Sequence, residues 1–282
     1  MKGFINIIKP QGMSSAAAVS VVKKKFNMPC GHMGTLDPMA KGVLPIGLKK
    51  TSRLFQYLLD KDKTYVASFA FGYQTDTLDK TGSVFSTTQN MPSKLQILEV
   101  LPKFIGEIEQ IPPQYSAKCI DGKRGYQLAR RGVEFTLPPK KVVVNSIKLL
   151  NQISENEFSF EINCKGGTYI RSLARDIAIA CNSLGTMTEL DRTSCGIFNY
   201  SNGVTIEELK SSDNVEKYLI APEESLNFAE IHLSNKDAER ILNGIFDKTN
   251  YQDGFYKVFN EKDFWGVGKV DQGVLKIVSY VR

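Results

Sequence analysis

Imidazole is almost missing from this chain: among 282 residues only His32 and His232 carry it, and they lie far apart. The five cysteines (Cys30, Cys119, Cys164, Cys181 and Cys195) are an odd number without a C-x-x-C pair. Structural zinc is therefore not expected. No apolar stretch follows Met1 in the manner of a secretory leader, so a cytoplasmic protein with reduced thiols is expected. No apolar run approaches the roughly 18 residues of a membrane span, which excludes a helical membrane protein. Neither G-x-x-x-x-G-K-[ST] nor a strand-borne G-x-G-x-x-G occurs, so a nucleotide cofactor has no support and none is expected. Repeats and low-complexity segments are absent as well. Carboxylates are scarce at the start, where Asp37 is the sole acidic residue among the first 59.

What is present is basic and globular. Hydrophobic residues make up 42% and charged ones 23%, and the net charge is +6. Residues 1–200 hold 26 basic and 16 acidic side chains, a balance of +10, whereas 201–282 hold 10 and 14, a balance of −4. A basic body with a mildly acidic tail points toward a polyanionic partner, although an ordinary solvated surface has the same look.

Periodicity gives a mixed α/β reading. Residues 3–8 form a strand stopped by Lys9-Pro10-Gln11-Gly12, and Ser14 or Ser15 caps a helix running to about Phe26. Residues 29–47, rich in Gly and Pro, read as one long shaped loop, and 51–59 as a helix-like stretch. A strand is expected over 65–71, a turn-rich stretch over 74–82, and a helix over 92–104. Strands follow at 142–150 and 157–164, the second alternating Phe158, Phe160 and Ile162. Gly166-Gly167 leads into a helix over 169–181 that carries Ile170, Leu173, Ile177 and Ile179. Short strands end the chain at 256–259 and 275–281. A domain boundary is placed near 225, giving domains 1–224 and 225–282.

The stretch Gly31-His32-Met33-Gly34-Thr35-Leu36-Asp37-Pro38-Met39-Ala40-Lys41-Gly42-Val43-Leu44-Pro45 is the most informative. Taken alone, Asp37 fits a turn cap, because Asp-Pro is common turn chemistry. Its isolation in a basic stretch, however, favours the ionised form, and the glycines around it let another backbone approach closely.

Five segments in order then resemble the bacterial tRNA pseudouridine-55 synthases of the TruB type. They are Lys9-Pro10-Gln11-Gly12-Met13-Ser14-Ser15, the stretch from Gly31 to Pro45, and Lys63-Thr64-Tyr65 with Gly72, Thr75-Asp76-Thr77, Asp79 and Gly82. Next come Gln110-Ile111-Pro112-Pro113-Gln114-Tyr115-Ser116-Ala117 with Gly122, Arg124, Tyr126 and Ala129-Arg130, then Cys164 with Gly167-Thr168-Tyr169-Ile170-Arg171-Ser172-Leu173 and Asp176. Arg192-Thr193 and Gly196 extend the match, which covers most of residues 1–200.

The resemblance implies a pseudouridine-synthase fold, a mixed and largely antiparallel sheet flanked by helices, with a small β-rich, PUA-like domain at the C-terminus. It implies isomerisation of uridine to pseudouridine at position 55 in the T arm of tRNA, by a monomer without metal or organic cofactor. Asp37 is then the essential carboxylate, which attacks the nucleoside or removes a ribose proton to give a glycal. Arg171 pairs with it, a guanidinium being suited to keep an acid ionised and aimed; by itself Arg171 reads as a structural or phosphate-binding arginine. Tyr65 stacks on the target uracil and assists loss of the C5 proton, where otherwise it would be core. Tyr169 and Leu190 line the uracil pocket, and His32 binds the flipped nucleotide. Lys9 and Pro10 brace the Asp37 loop.

A base within a paired arm must be flipped out at a cost of a few kcal/mol, which phosphate contacts and stacking offset. Residues 118–141 supply Lys118, Lys123, Arg124, Arg130, Arg131, Lys140 and Lys141 against Asp121 and Glu134, a balance of +5. The resemblance implies that residues 110–141 fold over the RNA. Taken alone they are equally a solvated basic loop.

Some positions depart from the pattern. Ser14 stands where Thr is usual, Met33 where Thr is frequent, and Gly47-Leu48-Lys49-Lys50-Thr51 replaces a Gly-Glu-Ala-Thr-Lys-like run. The acidic tail is the weakest match. A pseudouridine synthase for another RNA, or a non-catalytic RNA-binding or RNA-folding protein, would use the same basic surface. The second of these has no need of Asp37 and Arg171 together.

Overall fold

The computed structural model describes residues 1–59, 61–115, 137–243 and 249–281, and the backbone alone of 119–120 and 123–124. The architecture is α/β, with a large mixed sheet and a small four-stranded sheet near the C-terminus. The chain divides into two compact units. Met1–Pro38, Gly42–Asp60 and Cys195–Arg282 make the first, and Met39–Lys41 with Lys61–Ser194 the second.

In the first unit the strand Phe4–Lys9 runs antiparallel to Lys41–Leu48, with Asn6 opposite Pro45 and Lys9 opposite Gly42. It also runs parallel to Val204–Thr205. The helix Ser15–Phe26 starts where the Ser14 hydroxyl accepts from Ala17 N–H, and it buries Ser15, Ala18, Val22 and Phe26, a stripe at helical spacing. Lys23, Lys24 and Lys25 occupy its last turn, a favourable place for cations at the negative end of the helix dipole. The small sheet has the order Ala229–Leu233, Gly254–Asn260, Asp263–Asp271 and Val274–Tyr280, parallel in its first pair and antiparallel thereafter. Phe4, Leu54, Phe198, Phe259 and Phe264 meet in the apolar core of this unit.

Residues 29–47 are not a single loop, because Cys30–His32 and Lys41–Leu48 are paired strands. Gly31, Gly42, Pro45 and Gly47 conceal them. The missing N–H of Pro45 does no damage, and its carbonyl still accepts from Met33 N–H at 2.9 Å. The irregular loop shrinks to residues 33–40 and is held at both ends.

In the second unit Lys63–Phe71 pairs antiparallel with Glu157–Cys164, and that strand in turn with Lys140–Ser154, which pairs with Gly106–Gln110. The expected alternation of Phe158, Phe160 and Ile162 is present with all three buried. Phe160 stacks on Phe69 with ring centroids 4.8 Å apart. The helix Ile170–Ala180 buries Ile170, Leu173, Ala174, Ile177 and Ala178. Ile179 is not on that face and is 57% exposed. Nine residues past Ile170, at about 100° per residue, it points the opposite way. The expected helix 92–104 is an α-helix, Lys94–Val100, continued by a 3-10 turn, Leu101–Phe104, that contains Pro102. Among the described residues no helix is long and apolar enough to cross a membrane.

Candidate active site

In the first unit the structure fixes the loop that carries Asp37 from both sides of that residue. The Ser15 hydroxyl donates to the Leu36 carbonyl at 2.9 Å and accepts from Leu36 N–H at 2.9 Å. Immediately beyond Asp37, the Pro38 carbonyl accepts from Gly12 N–H at 2.7 Å. Ser15 and Leu36 are buried, so the two bonds between them are shielded from water, whereas Gly12 and Pro38 are exposed. Gly12 adopts φ +85°, a left-handed conformation; a Cβ there would meet nothing within 4 Å, so backbone conformation and not crowding calls for glycine. Asp37 itself is half-buried.

Lys9 and Pro10 lie at the base of the same turn. Lys9 is fully buried, and its ammonium donates to the carbonyls of Pro10 at 3.0 Å and Met13 at 2.7 Å. A buried cation bonded to two carbonyls of one tight turn fixes the path of residues 9–13, and through Gly12 the position of Pro38. His32 is half-buried at the end of Cys30–His32, opposite Ile46.

In the second unit, Tyr169 and Arg171 stand at the start of the helix Ile170–Ala180. Gly167 precedes them with φ +89°, and a Cβ there would sit 2.8 Å from the Lys140 ammonium. The Tyr169 backbone is tied at both ends to one side chain: its N–H donates to Gln110 Oε1 at 2.8 Å, and its carbonyl accepts from Gln110 Nε2 at 3.1 Å. Arg171 is buried. Its guanidinium donates to the carbonyls of Thr77 at 2.9 Å and Tyr115 at 3.0 Å, and its Nη1 lies 3.5 Å from Asp79 Oδ2. Asp79 Oδ1 in turn accepts from the Thr77 hydroxyl, the Thr81 N–H and the Thr81 hydroxyl. An arginine held on this many sides has one orientation available to it.

Tyr65 is buried in the strand Lys63–Phe71, opposite Ile162. Leu190 is buried in Gly185–Cys195, the strand beside it, where Thr193 donates to the Thr64 carbonyl at 3.2 Å. Cys164 lies in a matched segment, but burial pushes its thiol up to about 11, so it is protonated at neutral pH and no nucleophile. Among the described residues no group of three or more His, Cys, Asp or Glu is placed to hold a metal ion.

The basic set is only partly within view. Lys118, Arg130 and Arg131, and the side chains of Lys123 and Arg124, lie outside the described residues. Lys140 and Lys141 are exposed. Glu107, 2.8 Å from the Lys141 ammonium, raises the pKa of that lysine and engages part of its charge. Sequence reasoning gave no role to Asp79 or Gln110 and read Ser15 only as a possible helix cap. The signals for Asp79 were its place in a matched segment and the density of hydroxyl residues around it, Thr75, Thr77 and Thr81.

Residues 23–170 match the model of the TruB family pseudouridylate synthase, N-terminal domain. A tRNA pseudouridine synthase B from Clostridium kluyveri is 39% identical over 288 residues, covering 99% of both chains. One from Alkaliphilus oremlandii is 39% identical over 280 residues, covering 96% of this chain and 93% of its own. Among solved structures, a chain of a Cbf5-Nop10-Gar1 complex matches 98% of this chain and 79% of its own, with a TM-score of 0.70 and 26% identity.

Proposed function

The chain belongs to the TruB family of pseudouridylate synthases and isomerises uridine to pseudouridine in tRNA; from that premise we propose that its target is uridine 55 of the T arm and that Asp37 is the carboxylate on which the reaction depends. The observation that carries the role of Asp37 is the clamp on its two neighbours, Leu36 by Ser15 and Pro38 by Gly12. Held on both sides, the backbone gives the acid between them a fixed place, as a carboxylate that must meet one atom of its substrate requires.

The rest of the mechanism follows from the chemistry. The C1′–N1 bond breaks, the base turns, and a C1′–C5 bond forms. The Asp37 carboxylate adds to the nucleoside or removes a ribose proton, and either route requires its ionised form. Arg171 serves to keep it ionised and aimed, and Asp79, Thr77 and Tyr115 hold Arg171 ready. Tyr65 stacks on the uracil and helps carry off the C5 proton, Tyr169 and Leu190 complete the pocket, and His32 contacts the flipped nucleotide. Residues 1–224 act as the catalytic domain and 225–282 as a PUA-like domain; most of 110–141, the segment assigned to RNA contact, lies outside the described residues. The enzyme works as a cytoplasmic monomer.

The test is single-turnover reaction with an isolated T-arm stem-loop, followed by mapping of the modified base. Pseudouridine at position 55 alone is the expected result. Binding without isomerisation, or modification elsewhere, would overturn the assignment.

A further inference from the structure

The last turn of the helix Ser15–Phe26 and the residues after it border a groove of about 580 Å³, lined by Ser20, Lys23, Lys24, Asn27, Met28 and Pro29. The Pro29 carbonyl accepts from Lys49 N–H at 2.7 Å, which brings the Lys49-Lys50 pair to the same edge. All four lysines are exposed, and among the described residues none is paired with a carboxylate. Of the elements packed on this helix, Ile206–Ser211 carries Glu207 and Glu208, and Glu208 turns back to close its own cap on Thr205. Lys49 adds a second observation: it holds φ +49°, in the left-handed region that favours glycine.

The strand Cys30–His32 leads from Pro29 to His32. At about 3.3 Å per residue it spans about 10 Å, or about three nucleotides of a stacked strand. We propose that Lys23, Lys24, Lys49 and Lys50 form a phosphate-binding cleft for the RNA strand that leads away from the target nucleotide. This rests on the reading of His32 as a contact of that nucleotide. It adds a backbone-binding surface in the first unit, separate from residues 118–141. Phosphate contacts of this kind position the RNA and carry no sequence preference.

The test measures the affinity of a T-arm stem-loop against salt for two double variants, Lys23→Gln/Lys24→Gln and Lys49→Gly/Lys50→Gln. Each is expected to flatten the slope of log K against log salt by about 1.4–1.8, two contacts at about 0.7–0.9 each. Lys49→Gly relieves the left-handed backbone, so that variant is expected to melt no lower than the parent while binding more weakly. Lys49→Arg/Lys50→Arg is expected to keep the parental slope. Slopes unchanged in both double variants, an arginine pair that loses the slope as the neutral pair does, or weaker binding seen only with a lowered melting temperature would each overturn the cleft. Tritium release from 5-labelled uridine by the unaltered chain separates the two readings. No release alongside a full salt slope would overturn the proposed reaction and leave the cleft standing.

Discussion

Ser15→Ala probes the scaffold of the site without touching a reacting group. In the folded protein one hydroxyl satisfies both backbone groups of Leu36, at 2.9 Å each, and both residues are buried. Removing it strands an N–H and a carbonyl, at about 1–3 kcal/mol apiece. Alanine is the better helix former at the start of Ser15–Phe26, which offsets about 0.5 kcal/mol. If the loop keeps its place, the net loss is about 1.5–5.5 kcal/mol, and the melting temperature falls by about 3 °C or more. If the loop instead moves to hydrate Leu36, stability is largely kept and the displacement carries Asp37 with it. A misplacement of about 1 Å then costs about 100-fold in rate. Denaturant unfolding and single-turnover tritium release on the same preparation distinguish the two outcomes. A variant within about 0.5 kcal/mol of the parent, the ordinary scatter for an inconsequential substitution, that also reacts at the parental rate would refute the claim that Ser15 holds the Asp37 loop.

Three further predictions follow from the second unit. Asp79→Asn removes the charge opposite a buried guanidinium; stability is expected to drop by about 3 kcal/mol and turnover to fall, and parental values of both would show that Arg171 needs no such partner. Tyr65→Phe keeps the ring and loses the hydroxyl, so RNA binding is expected to persist while product forms more slowly; an unchanged single-turnover rate removes the phenol from proton transfer. The carboxyl of Asp176 is pushed up by burial against the opposing pull of Arg175, 2.7 Å away. A raised folded value means that the protonated form suits the fold better. The stability tied to that proton is complete below the unfolded pKa and is lost as pH climbs through the folded one. Asp176→Asn is therefore expected to gain stability relative to the parent at pH 7 and to gain less at pH 4. Urea unfolding at the two values decides, and an advantage that grows toward acid reverses the sign.

Much of the fold was legible where a single period governs the residues. The helix Ile170–Ala180 and the strand Glu157–Cys164 bury the side chains their spacing demands, and Ile179 misleads only because hydrophobicity was weighed without its angle. The strands around the Asp37 loop were illegible because glycine and proline mask them, and because their pairing is decided by the distant Phe4–Lys9. Gly185–Cys195 escaped notice for another reason: it buries Thr186 and Arg192, residues that alternation assigns to solvent. At the site, Asp37 stood out by its isolation. The supports of its loop did not, since the bonds of Ser15 to Leu36 join positions 21 residues apart with no local pattern to announce them.

The central claim is that the carboxylate of Asp37 performs the chemistry. Asp37→Asn keeps the size and polarity of the side chain and removes its charge. Tritium release from tRNA labelled at C5 of uridine measures the reaction, with RNA binding measured alongside. The account predicts tRNA binding and no release above background; substantial release by the asparagine variant would contradict it.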